Sequence, residues 1–459
     1  MELSSWRNRS PGDLSVLLPE ITAGDPAQAV DAAKIAATAW AKTPLAERCE
    51  RLQRAQRLID ATRERLAEQI TIETGKPLTE ARGELAAVIA KFDLTIADAN
   101  DCLAEHPAPG GPHPALVRRR PRGPVAVIGP FNFPLHLGHG AIVAHLIAGN
   151  PVIFKPSPLA ASVAGEYGAI MASAFPSGVF QLMQGGAPEG EVLCLDPRIR
   201  SVCFTGSVPV GRALAKALAE DYSKDLALEL GGSNSVIVCA DADLEKAAMA
   251  VAEGACLTAG QRCNATSRVI VEKPVARDFE RLLLAALTAY RPGDPLLPAT
   301  KLGPLINAAA AARYDKLLAE TPGEWLLPGG FAPEIAGKRG YYVHPAVIHR
   351  AGNYFADSET FVPILSLQVA PDMDEAVRLQ NATVFGLTAS IFTRSRERFQ
   401  QIGDQLTVGN LYANLPTTFS PSTLPFGGLR DSGNGRPGGQ GFIRFTTNEQ
   451  AVQWTGLDA

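Results

Sequence analysis

The chain has 459 residues, 46% of them hydrophobic and 20% charged, with a formal net charge of −4. That composition belongs to a globular protein long enough for two or three domains, and its weak acidity gives nucleic acid no electrostatic footprint. No apolar run reaches membrane-spanning length and the N-terminal residues lack the apolar core of a signal peptide, so a cytoplasmic location and no membrane partner are expected. The seven cysteines contain no CxxC pair and the seven histidines no HExxH motif, so neither a disulfide framework nor a metal site is expected.

Residues 1–23 read as irregular, punctuated by Pro and Gly. From 25 to 106 the sequence is rich in Ala, Leu, Arg and Glu, and Leu52, Ala55, Leu58 and Ile59 recur at helical spacing. This predicts long amphipathic helices, broken near Thr43-Pro44 and Gly75-Lys76-Pro77. PAPGGPHP at 107–114 is a turn cluster, followed by a strand at 115–120 that carries Arg118-Arg119-Arg120 as a solvated face.

Short apolar strands then alternate with amphipathic helices. Strands are expected at 124–128, 151–154, 179–183, 201–204 and 226–230, which implies a parallel sheet with helices on its faces. Ligands of such sheets bind beyond the carboxyl ends of the strands. Lys155, Gly206-Ser207 and Glu229 all fall at such ends, so they can line one crevice. A second alternating stretch runs from 234 to about 431, with strands at 235–238, 268–271, 364–367 and 390–392. The segment 410–438 is rich in Gly, Pro, Ser and Asn and reads as a loop over the active-site face. The last apolar-polar run, 445–454, reads as an exposed strand that needs a partner, either another subunit or the 115–120 strand.

Four stretches carry candidate chemistry. Cys263, in TAGQRCNATSRVIVEK, stands where a polar turn meets an apolar strand, and the neighbouring Arg262 favours a thiolate. A lone cysteine reads more readily as a small buried hydrophobe. Glu229, in LALELGGSNS, ends an apolar strand; partly desolvated, it can take a proton near neutral pH, and solvated it is an ordinary strand-end acid. Asn132, in GPFNFP, can donate to a developing oxyanion with the backbone amide of Cys263 as second donor, or can stabilise its own turn. In FTGSVPVG (204–211) a strand gives way to a helix whose exposed amides suit a phosphate, although GxGxxG is missing and a plain strand–helix turn fits the bare pattern better.

GPFNFP, FKPS, FTGSVPVG, LELGGSN, AGQRCNA, ETFVPIL and PFGGLRDSGNG, in that order, resemble the aldehyde dehydrogenase superfamily from about residue 25 to the end. The resemblance implies an α/β fold with two parallel-sheet domains and a small β oligomerisation element. It divides the chain into a cofactor-binding domain (1–114 and 125–231), a catalytic domain (232–430) and an oligomerisation element (115–124 and 439–459), assembled as a homodimer or homotetramer. It also implies oxidation of a small aldehyde to the acid with NAD or NADP. Cys263 would be the nucleophile, Asn132 the oxyanion donor and Glu229 the base that activates water for thioester hydrolysis. Phe131, Lys155, Glu359 and Phe361 would stand near the cofactor, and Gly206, Ser207, Val208, Pro209, Val210 and Gly211 would form its phosphate turn.

A related branch passes its acyl group to coenzyme A and lacks the acid, so the presence of Glu229 favours hydrolysis; a non-catalytic paralogue is the third alternative. Within the superfamily, NFPLHLGHG, AGQRC and SGNGRP are nearest to the succinylglutamate semialdehyde dehydrogenase group. A substrate bearing carboxylates would need cations, for which Arg262 and Arg436 are candidates unless both are structural. The sequence also departs from the pattern. Pro158 replaces a usual Glu that binds the adenosine ribose, removing an obstacle to a 2′-phosphate. Val362 replaces a usual Gly, Ser235 a usual Pro, and the N-terminal stretch reads as lacking the usual opening strands.

Overall fold

The computed structural model describes residues 4–332, 334–349, 355–436, 438–439 and 441–456. The Ala- and Leu-rich stretch folds as four helices, Pro26–Lys42, Leu45–Ala61, Arg63–Thr74 and Leu78–Cys102. The expected breaks fall where local chemistry demands them. Gly75 takes φ 77° and its N–H closes on the Thr71 carbonyl, ending one helix, and Pro77 caps the next. Leu52, Ala55 and Ile59 form a fully buried stripe, whereas Leu58 lies one residue off that stripe and is 38% exposed.

The first sheet has six strands. Val125–Ile128 is central; Val152–Lys155 and Phe180–Leu182 lie to one side, Ser201–Thr205 and Asp225–Glu229 to the other, all parallel. These strands carry uninterrupted apolar runs because helices cover both faces. The winding reverses between Val125–Ile128 and Ser201–Thr205, so a crevice opens at their carboxyl ends.

The second sheet has seven strands. Asn234–Val238 lies between Thr266–Glu272 and Thr388–Phe392 in parallel, and Ile364–Ala370, Val343–His349 and an antiparallel edge strand, Glu324–Phe331, extend one side. Among the described residues no helix is long and apolar enough to cross a membrane.

Three readings of the sequence need correction. Residues 1–23 are not irregular and the opening strands are not missing: Ser5–Ser10 and Asp13–Thr22 pair as an antiparallel hairpin. Its sequence is mostly polar, and what holds it is long-range. Trp6 Nε1 and Asn8 Nδ2 both donate to the Pro158 carbonyl, at 3.2 and 2.7 Å, and Tyr342 donates its hydroxyl to the Gly12 carbonyl at 2.9 Å. The 410–438 segment is not all loop: Asn410–Ala413 completes the seven-stranded sheet, and Gly433–Asn434 pairs antiparallel with the strand that ends at Glu229. Of the two partners open to the C-terminal strand, the in-chain one is taken. Thr447–Gln453 pairs antiparallel with Ala115–Pro121, which also pairs with His106–Pro107.

Candidate active site

Glu229 is the last residue of its strand in the first sheet and Asn234 the first of the central strand in the second. Residues 230–233 carry the chain from one sheet to the other, so the carboxyl edge of the first faces the amino edge of the second. Two glycines make this crossing possible. A Cβ on Gly231 would lie 2.5 Å from the Glu359 carboxylate, and one on Gly232 would lie 2.7 Å from the Cys263 carbonyl oxygen.

Cys263 sits at that amino edge, just before Thr266–Glu272. Ahead of it, Thr258, Ala259 and Gly260 take left-handed backbone angles in succession, φ 52°, 54° and 71°. For the two non-glycine residues this conformation is costly and must be imposed from outside. Glu80 imposes part of it by accepting the Thr258 N–H at 3.0 Å and its hydroxyl at 2.7 Å. Gln261 ties the turn to the Ile306 N–H at 3.0 Å. Asn234 Nδ2 donates to the carbonyls of Cys263 and Ala265, at 2.8 and 2.9 Å, and so fixes the backbone on both sides of the thiol.

The expected thiolate is not the resting form. Burial pushes the Cys263 thiol well above its usual pKa, the Glu229 and Glu359 carboxylates push the same way, and Arg262 opposes them only weakly. The Arg262 guanidinium is engaged elsewhere: it pairs with Glu80 at 2.9 Å and lies over the Phe133 ring at 4.7 Å. Glu229 is 2% exposed and its Oε1 accepts no hydrogen bond among the described residues; burial raises its pKa to about 7. Burial thus favours the neutral form of both groups. Asn132 is buried, accepts the Phe133 N–H at 3.1 Å and donates to the Gln261 carbonyl at 2.8 Å, which locks its amide and leaves one Nδ2 hydrogen over. The Cys263 N–H has no hydrogen-bond partner among the described residues.

Two cavities meet at this point. The larger, about 670 Å³, lies at the winding reversal of the first sheet and is lined by Phe131, Asn132, Lys155, Gly206, Ser207, Val210, Glu359 and Phe361. The smaller, about 280 Å³, is lined by Arg262, His136 and one face of Leu78–Cys102. Cys263 and Glu229 line both, so they form the shared wall. Val208, Pro209 and Gly211 complete the first turn of helix Val208–Leu218 without lining the cavity, and Gly211 packs against Leu230. Arg436 lines neither cavity: it adopts φ 43° and lines an adjoining cleft that shares Ser420, Pro421 and Phe426 with the smaller cavity.

The larger cavity suits a dinucleotide. Helix Val208–Leu218 begins there with no side-chain cap, leaving its first amides free for a phosphate. Lys155, whose pKa falls to about 8 on burial, donates to the Gly185 carbonyl at 2.8 Å beside it. Glu359, raised to about 7 by burial, accepts the Gly232 N–H at 3.3 Å and keeps acceptor capacity for hydroxyls. Pro158 lines the same wall, held from behind by the N-terminal hairpin.

Several positioning residues escaped the sequence reading. Glu84 forms an ion pair with Lys76 at 2.5 Å, both fully buried, and accepts the N–H groups of Leu135 and His136 at 3.0 and 3.1 Å, anchoring the segment just after Asn132. Glu80, Glu84 and Lys91 share one helical face, and charged residues on the inner face of an Ala-rich helix were the available signal.

The family model of the aldehyde dehydrogenase family matches residues 5–452. The chain is 38% identical over 430 residues to N-succinylglutamate 5-semialdehyde dehydrogenase 1 of Caulobacter vibrioides, covering 90% of this chain and 88% of that one. Among solved structures, the γ-glutamyl-γ-aminobutyraldehyde dehydrogenase of Burkholderia cenocepacia superposes with a TM-score of 0.93 at 30% identity, covering 98% of this chain and 93% of that one. Indole-3-acetaldehyde dehydrogenase AldA of P. syringae, solved with NAD+, gives a TM-score of 0.93 at 29% identity, covering 98% of this chain and 93% of that one. Motifs, double-sheet architecture and whole-length similarity agree: this chain belongs to the aldehyde dehydrogenase family and is an aldehyde dehydrogenase.

Proposed function

We propose that the enzyme oxidises a carboxylate-bearing semialdehyde to the corresponding acid by a hydrolytic, cysteine-dependent route with NAD or NADP. The observation that carries this reading is the shared wall, with Cys263 and Glu229 facing a dinucleotide-sized cavity on one side and a smaller cavity on the other. Cys263 Sγ adds to the aldehyde carbon as its proton passes to Glu229 or to water, giving a thiohemiacetal. The spare Asn132 amide hydrogen and the Cys263 N–H hold the oxyanion. The bound dinucleotide supplies the hydride acceptor that no side chain provides. Glu229 then takes a proton from the water that hydrolyses the thioester, returning the thiol and releasing the acid. Lys155 and Glu359 would hold the hydroxyl groups of the cofactor, and the Gly206–Gly211 turn its phosphates.

Similarity to N-succinylglutamate 5-semialdehyde dehydrogenases makes that semialdehyde the first substrate to assay. A neighbour solved with NAD+ supports a nicotinamide dinucleotide, and Pro158 itself brings no carboxylate to repel a 2′-phosphate. The deciding assay combines each dinucleotide with this semialdehyde, with and without coenzyme A. Free acid formed at the same rate in both is expected. Acyl-coenzyme A as the product would replace hydrolysis with acyl transfer, and no reduction of either dinucleotide with any aldehyde would leave only a non-catalytic paralogue.

A further inference from the structure

The smaller cavity is walled on one side by helix Leu78–Cys102, from which Glu80, Glu84, Ala87 and Lys91 project along one face. Most of the charge on this wall is cancelled in place. Glu80 is paired with Arg262 at 2.9 Å, and Glu84 with Lys76 at 2.5 Å. Lys91 differs. It is 5% exposed, it makes no ion pair among the described residues, and its ammonium donates to the Gly439 carbonyl at 2.7 Å. Burial lowers the Lys91 pKa; Asp98, seven residues further along the helix, opposes that shift but lies outside the lining. An ammonium has three donors, so two remain for a ligand. His136 lines the same cavity with a ring that burial keeps neutral, but its Nδ1 is sealed from the cavity.

A carboxylate entering this cavity must leave water, and a buried cation without a counter-ion offsets that cost. Arg262 contributes less net charge, because Glu80 already balances its guanidinium. We propose that Lys91 selects the substrate: it takes the carboxylate at the far end of an aldehyde whose reactive carbon is at Cys263. This assignment rests on the dehydrogenase reading above and replaces Arg262 and Arg436 as the cations that recognise an anionic substrate.

The test compares 5-oxopentanoate with pentanal, two aldehydes of equal length that differ in the distal carboxylate, using the full-length enzyme. The wild type is expected to favour the anion in kcat/KM. The ratio should fall at least about tenfold in Lys91→Met, mainly through KM, and recover in Lys91→Arg, because a buried ion-paired contact to one substrate only is lost and restored. Glutarate inhibition gives a second readout: its Ki against pentanal should rise by a similar factor in Lys91→Gln. A ratio and a Ki unmoved by these substitutions, or a wild type with no preference for the anion, would overturn the assignment while leaving aldehyde oxidation intact. Oxidation of neither aldehyde with either dinucleotide would overturn the dehydrogenase reading itself.

Discussion

Cys263 and Glu229 are tuned by burial more than by neighbouring cations, and this shapes what their substitution does. Cys263→Ser is expected to lower kcat at least about a thousandfold, since a serine hydroxyl is a far poorer nucleophile without a dedicated base. Dinucleotide affinity, read by fluorescence titration, should stay within about twofold because the sulfur only borders that cavity; retained turnover would remove Cys263 from its role. Glu229→Gln should leave a first-turnover burst of reduced dinucleotide and slow the steady state about a hundredfold. In the wild type, deacylation should rise with pH through about 7, where Glu229 becomes ionised. Stability has the opposite sign. Because the folded pKa of about 7 lies above the ordinary 4.5, Glu229 contributes its full stability below pH 4.5 and loses it as pH rises through 7. Glu229→Gln should therefore be more stable than wild type by about 2–3 kcal/mol at pH 8 and by much less at pH 5; equal urea midpoints at both pH values would contradict this burial cost.

At the scale of elements, the site depends on how one turn and one crossing are held. The Thr258-Ala259-Gly260 turn is left-handed throughout; Glu80 and the capping Gln261 hold it, and Asn234 fixes the Cys263 backbone that follows. Asn234→Ala removes two donated bonds and the acceptor for the Thr388 N–H, without touching either cavity's lining. It is expected to lower kcat about ten- to a hundredfold, as a displaced reacting group does, with a small drop in melting temperature and unchanged dinucleotide affinity. An unchanged kcat would mean that the turn holds itself.

For the whole molecule, the three-stranded sheet poses the open question. Thr447–Gln453 is an edge strand, mostly exposed, whose outer N–H and C=O groups have no strand beside them among the described residues. Such an edge is a template for pairing, and assembly as a homodimer or homotetramer through it is expected. Deleting residues 447–459 should reduce the mass measured by light scattering to that of a smaller assembly, or cause aggregation as Ala115–Pro121 is exposed. A mass per particle unchanged from wild type would place the interface elsewhere.

The sequence by itself determined the features that are local or strongly periodic. Apolar strands such as Val125–Ile128 and Val152–Lys155 were legible because helices bury both of their faces, and Gly75 and Pro77 announced the helix break between them. Ordered motifs pointed to Cys263, Glu229 and Asn132, since each lies at a strand end or a rigid turn. Only the tertiary structure decided what depends on contacts between distant segments. The polar hairpin Ser5–Ser10/Asp13–Thr22 forms because Pro158 and Tyr342 receive it. Arg262 is spent on Glu80 rather than on its neighbour Cys263, and Lys91 remains as the unpaired cation of the smaller cavity among the described residues. Adjacency in the chain does not fix which charges meet: side chains on separate elements pair where folding brings them together, and that pairing leaves one cation uncommitted.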